Sequence, residues 1–100
     1  MRKLVIAAAL AAAPLCAGAQ DNAARNLAAS CAICHGTDGR AVTKDVAPLA
    51  GLPRDHIATQ LRAFRDGNRP ATVMHQIAKG YNDAQIDALA GWFASQRRQP

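Results

Sequence analysis

From Leu27 onward the apolar residues recur with the period of short helices, and no stretch shows the period of two that marks strands. Leu27, Cys31 and Cys34 fall at i, i+4 and i+7, which predicts a first helix turning both sulfurs to the side where Leu27 points. The following HGTDGRAVTKDVAPLAGLP breaks the period with three glycines and two prolines and reads as an irregular loop. Asp55 then stands where a cap belongs, ahead of the stripe Ile57, Leu61, Phe64, until DGNRP stops this second helix. Pro70 opens a brief third segment with Val73 and Ile77 one turn apart, and Gly80 closes it. In the last helix Asn82 is the cap with Gln85 reaching back, and Ile86, Leu89, Ala90 and Phe93 hold the spacing of a buried face. The expected fold class is all-α, with the last helix packed on the first.

Ahead of Gln20 the pattern changes. Met1 to Lys3 is a short basic head, and the apolar run from Leu4 to Ala19 ends in small residues, which is the form of a secretory signal peptide. Ala17 and Ala19 occupy the two small positions of an A-x-A site, so residues 1–19 are expected to be removed and 20–100 to form one domain. The run is shorter than the roughly 20 residues a bilayer-spanning helix needs, so the mature chain is expected to hold no integral membrane segment. Bulky Leu15 before Cys16 speaks against a lipid anchor there. An exported, periplasmic protein is the expectation.

Composition sharpens this picture. Without the leader, two of the three cysteines remain, both in Cys31-Ala32-Ile33-Cys34-His35, so no wider disulfide framework is available. The 81 mature residues include only five Leu, four Ile, three Val, two Phe, one Trp, one Tyr and one Met, and much of the hydrophobic content is alanine. Chains this short commonly need a metal or a covalent cofactor to complete the core. The pI of 9.7 overstates the charge, because Arg2 and Lys3 leave with the leader and ten Lys/Arg then face seven Asp. Nucleic-acid binding is not expected.

The five-residue motif admits three chemistries. A thioredoxin-like pair needs its CxxC at the mouth of a βαβ unit, which an all-helical chain lacks. A zinc site needs four ligands, and besides the motif only His56 and His75 offer imidazoles. Haem attachment accounts for all three specified positions: two thiols join one edge of a porphyrin and the next residue reaches the iron from the same side. A covalent haem c on Cys31 and Cys34 with His35 as axial ligand is therefore expected. A ligating histidine needs an acceptor for its other nitrogen, and the Pro48 carbonyl in APLAGL is a candidate, though Pro48 also serves simply to shape the loop. Met74, thirty-nine residues after His35, is the sole methionine past the leader and the candidate second axial ligand. His75 competes with it, but adjacent helical side chains point about a hundred degrees apart, so only one can face the iron.

With Cys31, Cys34, His35, the APLAGL loop and Met74 in sequence, the mature chain resembles the small bacterial monohaem cytochromes c over essentially its whole length. The stretch HIATQLRAFRDGNRPATVMHQIAKGYNDAQIDALAGWFASQ is most similar to the haem-binding subunits of flavocytochrome c sulfide dehydrogenases and to single domains of tandem dihaem carriers. The resemblance implies a cytochrome c fold of short helices wrapped around one haem, with Leu27 near Leu89 and Trp92–Phe93 where first and last helices cross. It also implies His35 and Met74 as axial ligands and supports Pro48 as acceptor. One CxxCH means one haem, and His56 stands where similar sequences often have tyrosine.

A chain with both axial positions filled and no acid, base or nucleophile cluster is expected to transfer single electrons and not to be an enzyme. The expected partner is a redox protein, with a flavoprotein that oxidises sulfide as the candidate and a free shuttle to a respiratory oxidase or reductase as the alternative. A haem enzyme or gas sensor with an open sixth position is the third reading. Arg40, Lys44, Arg62, Arg65 and Lys79 are available to steer an acidic partner, unless they are an ordinary solvated surface. Denaturing mass spectrometry of protein matured in its own host is expected to show residues 20–100 heavier by one haem.

Overall fold

Helices carry the described part of the chain, and no strand occurs among the described residues. The structure is a computed structural model that describes residues 3–5, 8, 9, 11 and 17–98. In order come α1 (Ala17–Ala29), α2 (Ala32–His35), a 3-10 turn at Thr37–Gly39, α3 (Arg54–Arg65), α4 (Met74–Ala78) and α5 (Asp83–Ala94). Cys16 lies outside the described residues, and α1 begins upstream of the predicted cleavage point. No helix among the described residues is long and apolar enough to cross a membrane.

The best-defined element is α5. The Asn82 side chain accepts from Gln85 N–H at 2.8 Å and the Gln85 side chain accepts from Asn82 N–H at 3.0 Å, the reciprocal box its sequence predicts. Its stripe Ile86, Leu89, Ala90 and Phe93 is buried in full, and α5 packs on both α1 and α3, so the predicted packing of the last helix on the first is present. Three local expectations change. The N-cap of α3 is Pro53 and not Asp55, which sits in the first turn where its charge favours the helix dipole. Helix α4 starts at Met74 and not at Pro70; it packs mainly against α3, and Val73 and Ile77 remain half exposed at 50% and 40%. The first helix is interrupted at Ser30–Cys31, so the motif occupies its own turn, α2.

The core is built largely of small side chains. Of nine buried apolar residues among those described, Ala28, Ala50, Ala58, Ala78 and Ala90 are alanines, against Ile57, Ile86, Leu89 and Phe93. Alanine at the helix contacts lets backbones approach closely but removes little apolar area from water. The larger side chains Leu27, Leu49, Leu52, Leu61, Tyr81 and Trp92 touch this cluster yet stay only half-buried.

Charge ties α3 to α5. Arg62 donates to Asp83 at 3.2 Å and to Asp87 at 2.9 Å, while Arg65 donates to Asp83 at 2.8 Å and to Asp66 at 3.0 Å. The Arg65 and Arg62 guanidinium groups hold the Asp83 carboxyl below its ordinary value, so its contribution is full above the unfolded Asp pKa of 3.8 and lost as pH falls through the lower folded one. In urea titrations the stability gap between wild type and Asp83→Asn is expected to be constant above about pH 5 and to close below pH 3.8.

Candidate functional site

The break after α1 gives the motif its shape. The Cys31 N–H bonds the Ala28 carbonyl at 3.0 Å, and the Cys31 carbonyl then accepts from Cys34 at 3.3 Å and from His35 at 2.8 Å, so one tight turn presents two free thiols and an imidazole. The chain must double back at once. Gly36 has φ +82°, and a Cβ there would stand 1.9 Å from the Arg40 carbonyl oxygen, so no side chain fits.

The two thiols are not equivalent, contrary to the expectation that both turn toward Leu27. Cys31 is half-buried against the core, and burial pushes its thiol pKa up, with the Ser30 hydroxyl and its own backbone pulling part of the way back. Cys34 is exposed, as is Ile33 between them at 88%. Ser30 Oγ donates to the Leu27 carbonyl at 3.3 Å, which leaves the Tyr81 hydroxyl, also at 3.3 Å, to donate to Ser30. Tyr81 follows α4, so this contact joins the Met74 arm to the turn that carries the thiols. Sequence reasoning passed over Tyr81, because a lone tyrosine before a helix cap gives no sign of a partner fifty-one positions away.

The His35 ring is fixed from one side. Its Nδ1–H donates to the Ala47 carbonyl at 2.7 Å, which in the neutral ring makes Nε2 the lone-pair nitrogen. The acceptor is thus one residue before the proposed Pro48. Leu49 N–H is committed to the Gly39 carbonyl at 2.8 Å, and across a trans peptide the Pro48 carbonyl points the opposite way. The Ala47 carbonyl belongs to the peptide bond whose nitrogen is the proline ring, with no N–H of its own to draw it into a ladder.

Met74 is the first residue of α4 and is half-buried. The neighbouring His75 has its Nδ1 shielded from solvent without a hydrogen-bond partner. His56 is exposed on α3. Among the described residues no three His, Cys, Asp or Glu side chains gather into a set that could hold an ion by themselves. A cleft of about 200 Å³ lies beside the turn, lined by Arg25, Ala28, Ala29, Ala32, Thr37, Asp38 and Trp92, and it touches none of Cys31, Cys34, His35, Pro48 or Met74.

The proposed steering charges also divide. Arg62 and Arg65 are taken up by Asp83, Asp87 and Asp66, because α3 lies on α5, and Arg40 donates to the Arg97 carbonyl at 3.3 Å with Asp38 3.8 Å away. Lys44 and Lys79 are exposed and make no ion pair among the described residues.

Comparison with known proteins places this arrangement. No family model matches the chain. It is 33% identical over 70 residues to cytochrome c-554(548) of Halomonas halodenitrificans, an alignment spanning 67% of this chain and 84% of that protein. The chain belongs to the cytochrome c family. Within the cytochromes it is related to electron acceptors of sulfur-compound dehydrogenases. It is 42% identical over 95 residues to the thiosulfate dehydrogenase electron acceptor of Thiomonas intermedia, and 39% identical over 69 residues to the cytochrome subunit of sulfide dehydrogenase of Chlorobaculum tepidum. These alignments cover 94% and 69% of this chain but only 44% and 62% of the two relatives, so this cytochrome spans about half the length of those proteins.

Proposed function

We propose that this cytochrome carries one haem c, joined covalently to Cys31 and Cys34 with His35 and Met74 as axial ligands, and transfers single electrons in the periplasm after export. The observation that carries it is the His35 ring, tied through Nδ1 to Ala47 with Nε2 uncommitted, one residue after the free thiol of Cys34 and four after that of Cys31. The haem supplies the one-electron couple of its iron.

The residues present fit such a group. The thiols and imidazole are spread along a turn and do not gather as a point ion would require, which suits attachment along one edge of a wide ring. Leu27, Leu49, Leu52, Leu61, Tyr81 and Trp92 hold apolar surface half open around an alanine-rich core, so a flat apolar ligand has contacts to complete and water to exclude. His75 supports Met74 as the second ligand. An axial imidazole needs an acceptor for its other nitrogen, as His35 has, and the shielded Nδ1 of His75 has none.

The named roles of the two dehydrogenase relatives support a donor that oxidises a reduced sulfur compound, and the resemblance of the 56–96 stretch favours a flavoprotein. Lys44 and Lys79, without carboxylate partners among the described residues, are the charges left to steer an acidic surface. The oxidised protein is expected to show a sulfur-to-iron absorption band that is lost in Met74→Ala and retained in His75→Ala. Its absence from wild type, with ready carbon monoxide binding after reduction, would indicate an open sixth position instead. Purification at native expression is expected to bring down a flavin-bearing chain; a monomer without partner would leave the free shuttle as the role.

A further inference from the structure

The loop from Arg40 to Leu52 has to hold one atom still, the Ala47 oxygen that accepts from His35, yet residues 42–45 and 47–48 are exposed. Leu49 and Ala50 N–H both reach the Gly39 carbonyl, Leu52 N–H bonds the Leu49 carbonyl, and Arg40 N–H bonds the Thr37 carbonyl. Further bracing comes from the far end of the chain. Gly51 N–H donates to the Phe93 carbonyl at 2.8 Å. Gly51 has φ +73°, and a Cβ there would lie 2.8 Å from the Arg98 Cα, so the backbone after α5 rests directly on the loop. At the loop's other end, Arg40 Nη2 donates to the Arg97 carbonyl at 3.3 Å. Both margins of an exposed loop are therefore pinned to residues 93–98.

We propose that residues 96–98 form a strap which, through Arg40 and Gly51, holds the Ala47 carbonyl against His35 and thereby sets how strongly His35 donates to the iron. The inference rests on the haem reading above. A hydrogen bond from Nδ1 gives the imidazole anionic character, and a more basic ligand favours ferric iron and lowers the potential. Slackening the strap lets Ala47 move off, weakens that bond and raises the potential. Arg40 and Gly51 act through His35 and are positioning residues.

The test uses haem-loaded protein in four forms: Arg40→Met, Arg40→Lys, Gly51→Ala and a chain ending at Gln96. Two quantities are read, the reduction potential and the rate at which the His35 Nδ1 proton exchanges with solvent, followed by NMR in the reduced state. Arg40→Met, Gly51→Ala and the shortened chain are expected to show a raised potential and exchange about tenfold faster. Arg40→Lys, which keeps a donor for the Arg97 carbonyl, is expected to stay near wild type. Arg62→Met, which cuts the α3–α5 ion pairs, is expected to lower thermal stability and leave both quantities unchanged. Wild-type values in Arg40→Met and in the shortened chain would overturn the strap, whether or not Gly51→Ala folds, and so would an equal shift in Arg62→Met. Wild-type protein without covalent haem would overturn strap and haem reading together.

Discussion

The close approach of α5 to α1 and α3 is the constraint on which the remaining structure depends. Ala28, Ala58 and Ala90 occupy the buried cluster among Ile86, Leu89 and Phe93, and side chains that small let the helices sit near one another in a chain of 100 residues. The same choice starves the interior of bulk. Leu27, Leu49, Leu61 and Trp92 are left gripping the cluster on one side and open on the other, an arrangement with small hydrophobic return unless a further apolar body is supplied.

Polar contacts then decide where the pieces stand. On one face, Asp83 begins α5 beside its Asn82 cap and accepts from both Arg62 and Arg65, so the helix start and the α3 contact are fixed together. On another, the Gly39 carbonyl, the Phe93 carbonyl and the Arg97 carbonyl gather the long loop onto the end of α5. The loop lacks helix or strand of its own, and its order is borrowed from these neighbours.

Legibility in the sequence followed the range of the interactions. The start and the buried stripe of α5 were readable to the residue because its cap is three positions from its partner and its stripe repeats within one element. The all-α class and the α1–α5 contact were readable from the same periodicity. What escaped was set by distant chain. The break at Ser30–Cys31 has no glycine or proline to announce it, and the Tyr81 to Ser30 contact spans fifty-one positions. Ala47 was missed in favour of Pro48 by a single residue, since the direction of the proline's carbonyl depends on where Leu49 N–H is spent. Arg62 and Arg65 looked available from sequence because the aspartates that engage them lie mostly on a helix about twenty positions on.

The unequal exposure of the two sulfurs has a kinetic corollary. An electrophile arriving from solvent meets Cys34 first, while Cys31 is shielded and held more firmly as the protonated thiol by its surroundings. In the chain as it stands, a solvent-borne thiol reagent therefore modifies the outer sulfur ahead of the inner one.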